Sequence, residues 1–526
     1  MTHPSSTWTP LRQPAFRALW LSGGIYFLGN AMHTMAVSWL MVQITRSSFL
    51  VALVQTAAFL PMFLLSLPAG VLADTADRRR LILGSLAVYA VCAVLLTALA
   101  ALGRAGPATL LAFTFVMGAC TALQSPAWNS AVSDTIGRDE LPQAITIISM
   151  AFNGARAVGP ALAGLVFTAA GSGVVFGFAV AGALVMVGAI RRWPPRPHPA
   201  AKLPPERLWG GMASGLRYAR HSKTILAQLV RTVAFSACGS ALWALLPTIA
   251  ARQLGLGAAG YGLLMGCLGG GAVAVGFFIA RLRTGLGMDR LASLCCVVFA
   301  AATAIAALST TRSLVYAALL AGGAAWMAMM STLNAATQTS APVWVRARAT
   351  AMHTLCALGS FALGSAGWGA VSGLVGLQVT LCAAAVGMLA GVLLVRPFPL
   401  RMGAASDVTH ATPWLDFFVA EEPAPEAGPV AVEIVYRIQP EDAGRFLEAA
   451  QHLRVPRQRD GATFWRIYRD LGDPTRYVER FIVSSWVDYL RQRDRATVAD
   501  QALEARVRVF QAEGVPVSMQ HYIAER

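Results

Sequence analysis

Long apolar runs separated by short polar segments dominate the sequence. About 20 apolar residues suffice to cross a hydrocarbon core of roughly 30 Å. Six runs qualify before a polar stretch at 191–223 and six qualify after it. They lie at 17–43, 49–73, 81–103, 107–131, 142–169, 172–190, 224–250, 258–280, 288–308, 313–338, 349–372 and 374–395. The pattern therefore predicts two six-span bundles, 1–190 and 224–398, joined by a central loop.

The periodicity changes after residue 398. Residues 399–428 are rich in Pro, Ala and Glu, which is typical of a flexible linker. From 429 to 526, period-two alternation and helical spacing predict elements in the order βαββαβ, which is typical of a ferredoxin-like fold. Within the central loop, helical spacing over 206–220 predicts a helix on the inner membrane surface. The fold class is therefore an all-α membrane protein with a C-terminal α+β domain.

Composition supports this class, because 56% of the residues are hydrophobic and only 13% are charged. The net charge of +16 comes largely from arginines between the apolar runs. These arginines collect on one side of the predicted membrane, which is typically the cytosolic side. Both termini, the central loop and the C-terminal domain are therefore predicted to be cytosolic. Because topology accounts for the positive charge, we expect no nucleic-acid partner.

The most distinctive loop lies between the second and third predicted spans and reads G-V-L-A-D-T-A-D-R-R-R-L, Gly70 to Leu81. It resembles the conserved loop of the major facilitator superfamily, with Asp77 where that superfamily usually has Gly. The version with three arginines is similar to the enterobactin-exporter-like, or transmembrane secretion effector, branch. The alternative is a purely topological role for the arginines.

The resemblance implies that this loop latches the two halves in the outward-facing state. Its matching residues here are Gly70, Asp74 and Arg78. Asp134, at the end of the fourth predicted span, is the natural partner for Arg78, although it could also be a solvated loop acid. A degenerate second copy of the loop lies at Gly276 to Arg290.

The fifth predicted span contains N-G-A-R-A-V-G-P-A-L-A-G, Asn153 to Gly164, and is similar to the G-P motif of superfamily exporters. Gly159 and Pro160 would loosen the helix and admit a close neighbour, or serve ordinary small-residue packing. Arg156 lies near mid-span, where a charge is costly and by default functional. We identify no Asp or Glu as its counter-ion within the spans. Its partners are therefore carbonyls, water, a hydroxyl or an anionic substrate.

Other polar side chains in the spans are candidates for a substrate path. Each could equally make a hydrogen bond between helices, and Arg231 could extend to the membrane interface. The candidates are Asn30, His33, Gln124, Asn153, Arg231, Asn334 and Gln338. Proton coupling through a buried carboxylate has no candidate, whereas His33, His353 or Asp74 could serve.

The C-terminal domain resembles dimeric α+β barrels of the antibiotic-biosynthesis-monooxygenase type, which are fused to some members of this branch. The resemblance rests on D-G-A-T-F-W-R-I-Y-R-D, R-Y-V-E-R-F-I-V-S-S-W, Y-L-R-Q-R-D-R and Q-H-Y. Fused relatives tend to have histidines where Tyr489 and Arg493 stand. No metal cluster, nucleophile–base pair or cofactor motif is visible. A binding or dimerisation module is therefore predicted rather than an enzyme, with a homodimer through this domain.

Together these features predict a secondary active exporter in the bacterial inner membrane, without a cofactor. Its partners would be the lipid bilayer and a small amphipathic or anionic molecule. The siderophore association comes from the family resemblance alone. The alternative is a membrane-tethered enzyme, in which residues 430–524 act on a lipophilic substrate.

Overall fold

The computed structural model describes residues 8–137, 140–193, 208–400, 403–411, 419 and 421–525. The chain divides into two compact units. The first contains residues 1–202, 231–332 and 354–397, and the second contains residues 203–230, 333–353 and 398–526. Three helices continue from one unit into the other along the chain.

The helical part follows the predicted apolar runs closely. Its helices are α1 (Pro14–Ile44), α2 (Ser48–Thr75), α3 (Arg78–Ala101), α4 (Pro107–Ser133), α5 (Leu141–Arg192), α6 (Leu208–His221), α7 (Lys223–Thr248), α8 (Ala258–Gly276), α9 (Ile279–Leu286), α10 (Met288–Leu308), α11 (Arg312–Ser340), α12 (Val343–Val375) and α13 (Leu377–Leu394). Within the described part of the chain, 11 helices are long and apolar enough to cross a membrane. The prediction of a mostly helical, multi-span membrane region is confirmed.

The long helix α5 contains both the fifth and the sixth predicted spans. Its 52 residues include Gly171 at φ 81° and ψ 175°, which is not a helical conformation. A positive φ favours glycine because it has no Cβ to clash. An unbroken helix of this length would extend roughly 78 Å, far beyond a hydrocarbon core of about 30 Å. Gly171 therefore divides α5 into two helical segments.

Asp77 has a local structural role at the start of α3. Its side chain accepts a hydrogen bond from the backbone N–H of Arg80 and so caps the helix. Ser47 caps α2 in the same way through Leu50. Such caps stabilise a helix by about 1 kcal/mol. The aspartate that replaces the usual glycine in the turn between α2 and α3 thus serves as the N-cap of α3.

The second unit contains a four-stranded antiparallel sheet with helices on one face. Its elements are α14 (Ala405–Val408), β1 (Val430–Arg437), α15 (Ala443–Gln451), α16 (Arg454–Asp460), β2 (Phe464–Arg469), β3 (Arg476–Val483), α17 (Trp486–Asp494), α18 (Val498–Arg508) and β4 (Ser518–Ile523). The strand order is β2-β3-β1-β4. Alternate residues of β1 are buried against Phe446 and Trp486. The predicted soluble domain therefore contains a small sheet, as the alternation indicated.

The predicted linker includes a segment that is attached to this sheet domain. Thr409 accepts a backbone hydrogen bond from Val498, and Ala411 donates one to Ala496. Residues 412–418 and 420 lie outside the described part of the chain, as do residues 194–207 of the central loop. The predicted helix of that loop corresponds to α6, which packs against α16.

Candidate functional site

The structure places Arg78 and Asp134 together, as their spacing suggested. Nη1 of Arg78 lies 3.1 Å from Oδ2 of Asp134, and both side chains are about one-fifth exposed. Nε of Arg78 also donates a hydrogen bond to the carbonyl of Ala73, which lies in the last turn of α2. Gly70 lies one turn earlier, where an added Cβ would meet nothing within 4 Å, and the side chain of Asp74 lies outside the described part. The loop is therefore tied to the end of α4 by a partly buried ion pair.

A related contact occurs in the degenerate second copy of the loop. Arg283 in α9 donates to the hydroxyls of Ser331 and Thr332 on α11, at 2.6 Å and 3.2 Å. The arginine of the second copy is therefore bound by neutral hydroxyls, whereas that of the first copy pairs with a carboxylate. Motif comparison missed this contact because Ser and Thr carry no charge signal. The arginine contact is therefore an ion pair in the first copy and a pair of neutral hydrogen bonds in the second.

The first segment of α5 has an exposed stripe on one face. It contains Ile145, Ser149, Phe152 and Arg156, each exposed in the structure. Residues separated by four, three and four positions lie above one another on a helix. Arg156 is therefore at the end of a continuous open face.

The two flanks of this stripe are packed against helices of both halves. On one flank, a Cβ at Gly159 would be 2.8 Å from the Cβ of Ala31 in α1. On the other flank, a Cβ at Gly269 of α8 would be 2.4 Å from the Cα of Ala157. Since α1 belongs to the first half and α8 to the second, the stripe with Arg156 faces the space between the two halves.

Arg156 has an aromatic neighbour but no carboxylate partner in the part of the chain that the structure describes. Its guanidinium lies 5.9 Å from the centroid of Phe152, which in turn packs edge-on against Phe27 of α1 at 5.2 Å. Asn153, next to Arg156, donates to the carbonyl of Ser149 within its own helix. A cation in a membrane span, on an exposed face and without a carboxylate partner among the described residues, is suited to binding an anion.

The remaining candidates of the first half are core groups. Asn30 accepts a hydrogen bond from the hydroxyl of Tyr89 at 3.1 Å. His33 is 2% exposed and packs against Phe176 at 5.3 Å, and neither ring nitrogen has a hydrogen-bond partner among the described residues. Gln124 is 3% exposed. These three side chains therefore lie inside the helix packing rather than on an open face.

Three candidates of the second half are paired locally. Gln338 donates to Asn334 one turn earlier on α11, at 3.1 Å. Arg231 is 5% exposed, and its Nη2 lies 2.7 Å from Oδ1 of Asp289 at the start of α10. The pair borders a crevice between α7, α10, α11 and α13 that Phe235 and Met388 also line. Arg231 thus has a counter-ion that the sequence analysis did not identify.

The two halves also meet near the turns that join α1 to α2 and α7 to α8. Trp39 stacks on Tyr261 with ring centroids 5.6 Å apart. Arg252 donates to the hydroxyl of Ser48 at 3.3 Å. Further along α2, the hydroxyl of Thr56 donates to the carbonyl of Ala362 at 2.9 Å. These contacts close the space between the halves at the end opposite the arginine-rich loops.

The C-terminal domain brings Tyr489 and Arg493 next to His521. The hydroxyl of Tyr489 lies 2.6 Å from Nε2 of His521 and accepts from Arg493 at 3.3 Å. Burial, assisted by the charge of Arg493, lowers the pKa of His521 from 6.5 to about 4. No group of three or more potential metal ligands occurs among the described residues. At physiological pH His521 is therefore neutral, and it packs edge-on against Tyr489 beside the charged Arg493.

Comparison with known proteins identifies the family. A family model described as transmembrane secretion effector matches residues 5–526. Over 149 residues, the chain is 26% identical to the staphyloferrin A transporter of Staphylococcus aureus (strain NCTC 8325 / PS 47). This alignment covers 28% of the chain and 37% of that protein, so it spans little more than a third of the relative.

Solved transporter structures share the fold of the helical part. A bacterial homologue of the human lysosomal transporter Spinster, inward-facing and occupied, has a TM-score of 0.60 and 15% identity over 76% of this chain and 99% of its own. The nucleoside transporter NupG has a TM-score of 0.59 and 13% identity over 73% and 98%. The prediction of a transporter rather than an enzyme is confirmed. The chain belongs to the transmembrane secretion effector family of major facilitator transporters.

Proposed function

We propose that this transporter exports a small anionic or amphipathic molecule from the cytosol by alternating access. The observation that carries the proposal is the position of Arg156 on the open face of α5, between a helix of each half. An arginine in a membrane interior requires compensation, and no carboxylate within the described residues supplies it. An anionic substrate would provide that compensation during its passage.

The division of α5 at Gly171 supports twelve spans arranged as six plus six. An even number of spans returns both termini to the same side, and the arginine-rich loops favour the cytosol of a bacterial inner membrane. The contacts around Trp39 and Tyr261 would then lie at the periplasmic end. The space below Arg156 would open to the cytosol, as loading of an exporter requires.

A siderophore is the substrate class that one relative suggests. The printed name of one relative, the staphyloferrin A transporter, assigns a siderophore to that protein. Many siderophores present several oxygen donors and carry negative charge, which matches a guanidinium that binds two oxygens at once. Arg156 would then recognise a carboxylate or a related oxyanion of the cargo.

Metabolite profiling of a deletion strain tests the proposal. The strain should retain in its cells an anionic metabolite that wild-type cells release, as measured by mass spectrometry of cells and medium. Charge-assisted hydrogen bonds contribute about 1.5–3 kcal/mol each, so losing one lowers affinity by roughly 10- to 150-fold. Complementation with Arg156→Gln should therefore resemble the deletion, whereas Arg156→Lys should restore partial release because it keeps the charge.

Arg104→Gln, in the exposed turn after α3, is the matched control and should release the metabolite normally. Wild-type release by Arg156→Gln would rule out Arg156 as the anion site. Retention of a cation instead of an anion would refute the proposed substrate class.

We also propose that the C-terminal domain is ferredoxin-like and pairs with a second copy. The order of its strands along the chain and across the sheet supports the fold. The sheet face away from the helices carries Val435, Val478 and Ile482, which are only partly buried. Val478→Asp should prevent pairing of the detergent-solubilised full chain, as measured by light scattering. A monomeric wild-type chain would contradict this arrangement.

A further inference from the structure

Trp344, in the first turn of α12, is the centre of a contact between the C-terminal domain and the transport helices. Arg495 of the domain lies over its ring, with the guanidinium carbon 4.2 Å from the centroid. Tyr218 of α6 packs edge-on against the same ring, with centroids 5.6 Å apart at 90°. One indole therefore contacts both the soluble domain and the helix of the central loop.

The domain holds its side of this contact with buried ion pairs. Arg459 lies over the ring of Tyr218 at 5.6 Å, and its Nη2 is 2.7 Å from Asp460 and 2.6 Å from Asp500. Arg495 donates to the backbone carbonyl of Asp460 at 3.0 Å. Both arginines are therefore fixed before they meet the aromatic rings. Planar guanidinium groups held in this way stack well on aromatic faces.

Three helix ends are joined on the other side of the contact. Arg348 of α12 donates to the hydroxyl of Ser214 in α6 at 2.8 Å. The hydroxyl of Ser340, at the end of α11, accepts from Gln228 in α7 at 3.1 Å and from the backbone of Gly403 at 2.9 Å. The ends of α7, α11 and α12 are thus linked to α6 and to the segment that leads into the domain.

We propose that the C-terminal domain is a brace that holds α6 and the ends of α7, α11 and α12 as one body. We will call the set Tyr218, Trp344, Arg459 and Arg495 the brace contact. The proposal rests on the proposed function, since it concerns helices that move during alternating access. Bracing these ends stabilises the arrangement seen here, in which the halves meet at the end opposite the arginine-rich loops. Releasing the brace should therefore reduce the population of this open arrangement.

Hydrogen–deuterium exchange of the purified full chain in nanodiscs measures the docking. Trp344→Ala and Arg495→Ala should each raise exchange in 214–221 and 343–353 by tenfold or more, while β1 and β3 keep their protection. Arg495→Lys, which keeps the charge but loses the planar group, should have an intermediate effect. Arg506→Ala, at an exposed position of α18, is the matched control and should change nothing. Unchanged exchange in both alanine variants would overturn the brace.

Alkylation of Ser149→Cys by N-ethylmaleimide measures opening without a substrate, because Ser149 lies on the exposed stripe of α5. Adding Trp344→Ala or Arg495→Ala should slow this alkylation at least threefold, and adding Arg506→Ala should not. If the alanine variants raise the exchange but leave the alkylation rate equal or faster, the contact docks the domain without affecting the opening of the transporter. That result would refute the proposal. If Ser149→Cys does not react in the otherwise wild-type chain, the proposed path is wrong, and the exchange data alone decide the brace.

Discussion

Asp134→Asn removes the charge at the end of α4 that Arg78 contacts, while keeping the size of the side chain. The change distinguishes a latch role of the loop from a purely topological role, because the arginines that orient the loop in the membrane stay in place. Arg78 keeps its hydrogen bond to Ala73, so the loop should retain its backbone course. The expected result is a folded protein that reaches the membrane but has a weakened connection between the loop and α4.

The size of the effect follows from the exposure of the pair. Exposed ion pairs contribute about 0–1 kcal/mol, whereas removing one partner of a buried pair costs about 3–5 kcal/mol. Side-chain exposures of 21% and 19% place this pair between those limits. We therefore expect Asp134→Asn to cost about 1.5–2 kcal/mol, which is a change of roughly tenfold or more in an equilibrium between two states.

A double-mutant cycle with Arg78→Gln, followed by titration with sodium dodecyl sulphate in mixed micelles, measures the coupling. The cycle should give a coupling energy near 1 kcal/mol, since neighbours in one ion pair are not additive. Arg80→Gln is the matched control, because Arg80 lies in the first turn of the same helix with its side chain 90% exposed and its partner Asp77 3.7 Å away. A coupling energy below about 0.3 kcal/mol, or equal losses for Asp134→Asn and Arg80→Gln, would refute the latch.

Two further predictions concern packing and pH. Gly262→Ala would place a Cβ 2.5 Å from the carbonyl oxygen of Pro160, so it should force α5 and α8 apart and cost about 1–3 kcal/mol in the same titration. Gly154→Ala, which has nothing within 4 Å, should cost nothing, and equal losses would contradict the close approach. His521 has a folded-state pKa of about 4, so its contribution is full above pH 6.5 and is lost as the pH falls towards 4. Calorimetry of the full chain should show this loss of stability at acid pH in the wild type and in the control His452→Phe, but not in His521→Phe. The same dependence of stability on pH in His521→Phe as in the wild type would contradict the prediction.

Local and periodic features were readable from the sequence. The spans follow from run length alone, because a bilayer sets a minimum number of apolar residues. The pairing of Arg78 with Asp134 was predicted because the start of the third span and the end of the fourth lie on the same side of the membrane. Close helix packing at Gly159 was predicted because small residues are what a closely packed helix seam requires, whereas α1 was not predicted as the neighbouring helix.

Contacts between distant, individually ordinary residues were not readable. Arg231 and Asp289 are 58 positions apart, and nothing in the sequence identifies Asp289 as a partner rather than a loop acid. Trp344 resembles any interfacial tryptophan until Arg495 is seen over its ring. Periodicity reports which face of a helix is apolar, but the partner of that face depends on how the helices are arranged in three dimensions.

The seam between α5 and α8 has a consequence for motion. At Gly262 and Gly269 the approach of the two helices is limited by backbone atoms rather than by interlocking side chains. Groups without rotatable side chains have no rotamers to rearrange when one helix rolls over the other. Rotation of α8 against α5 therefore requires no side-chain rearrangement at these positions. The angle between the two halves of the transporter can change at this seam while their hydrophobic cores stay packed.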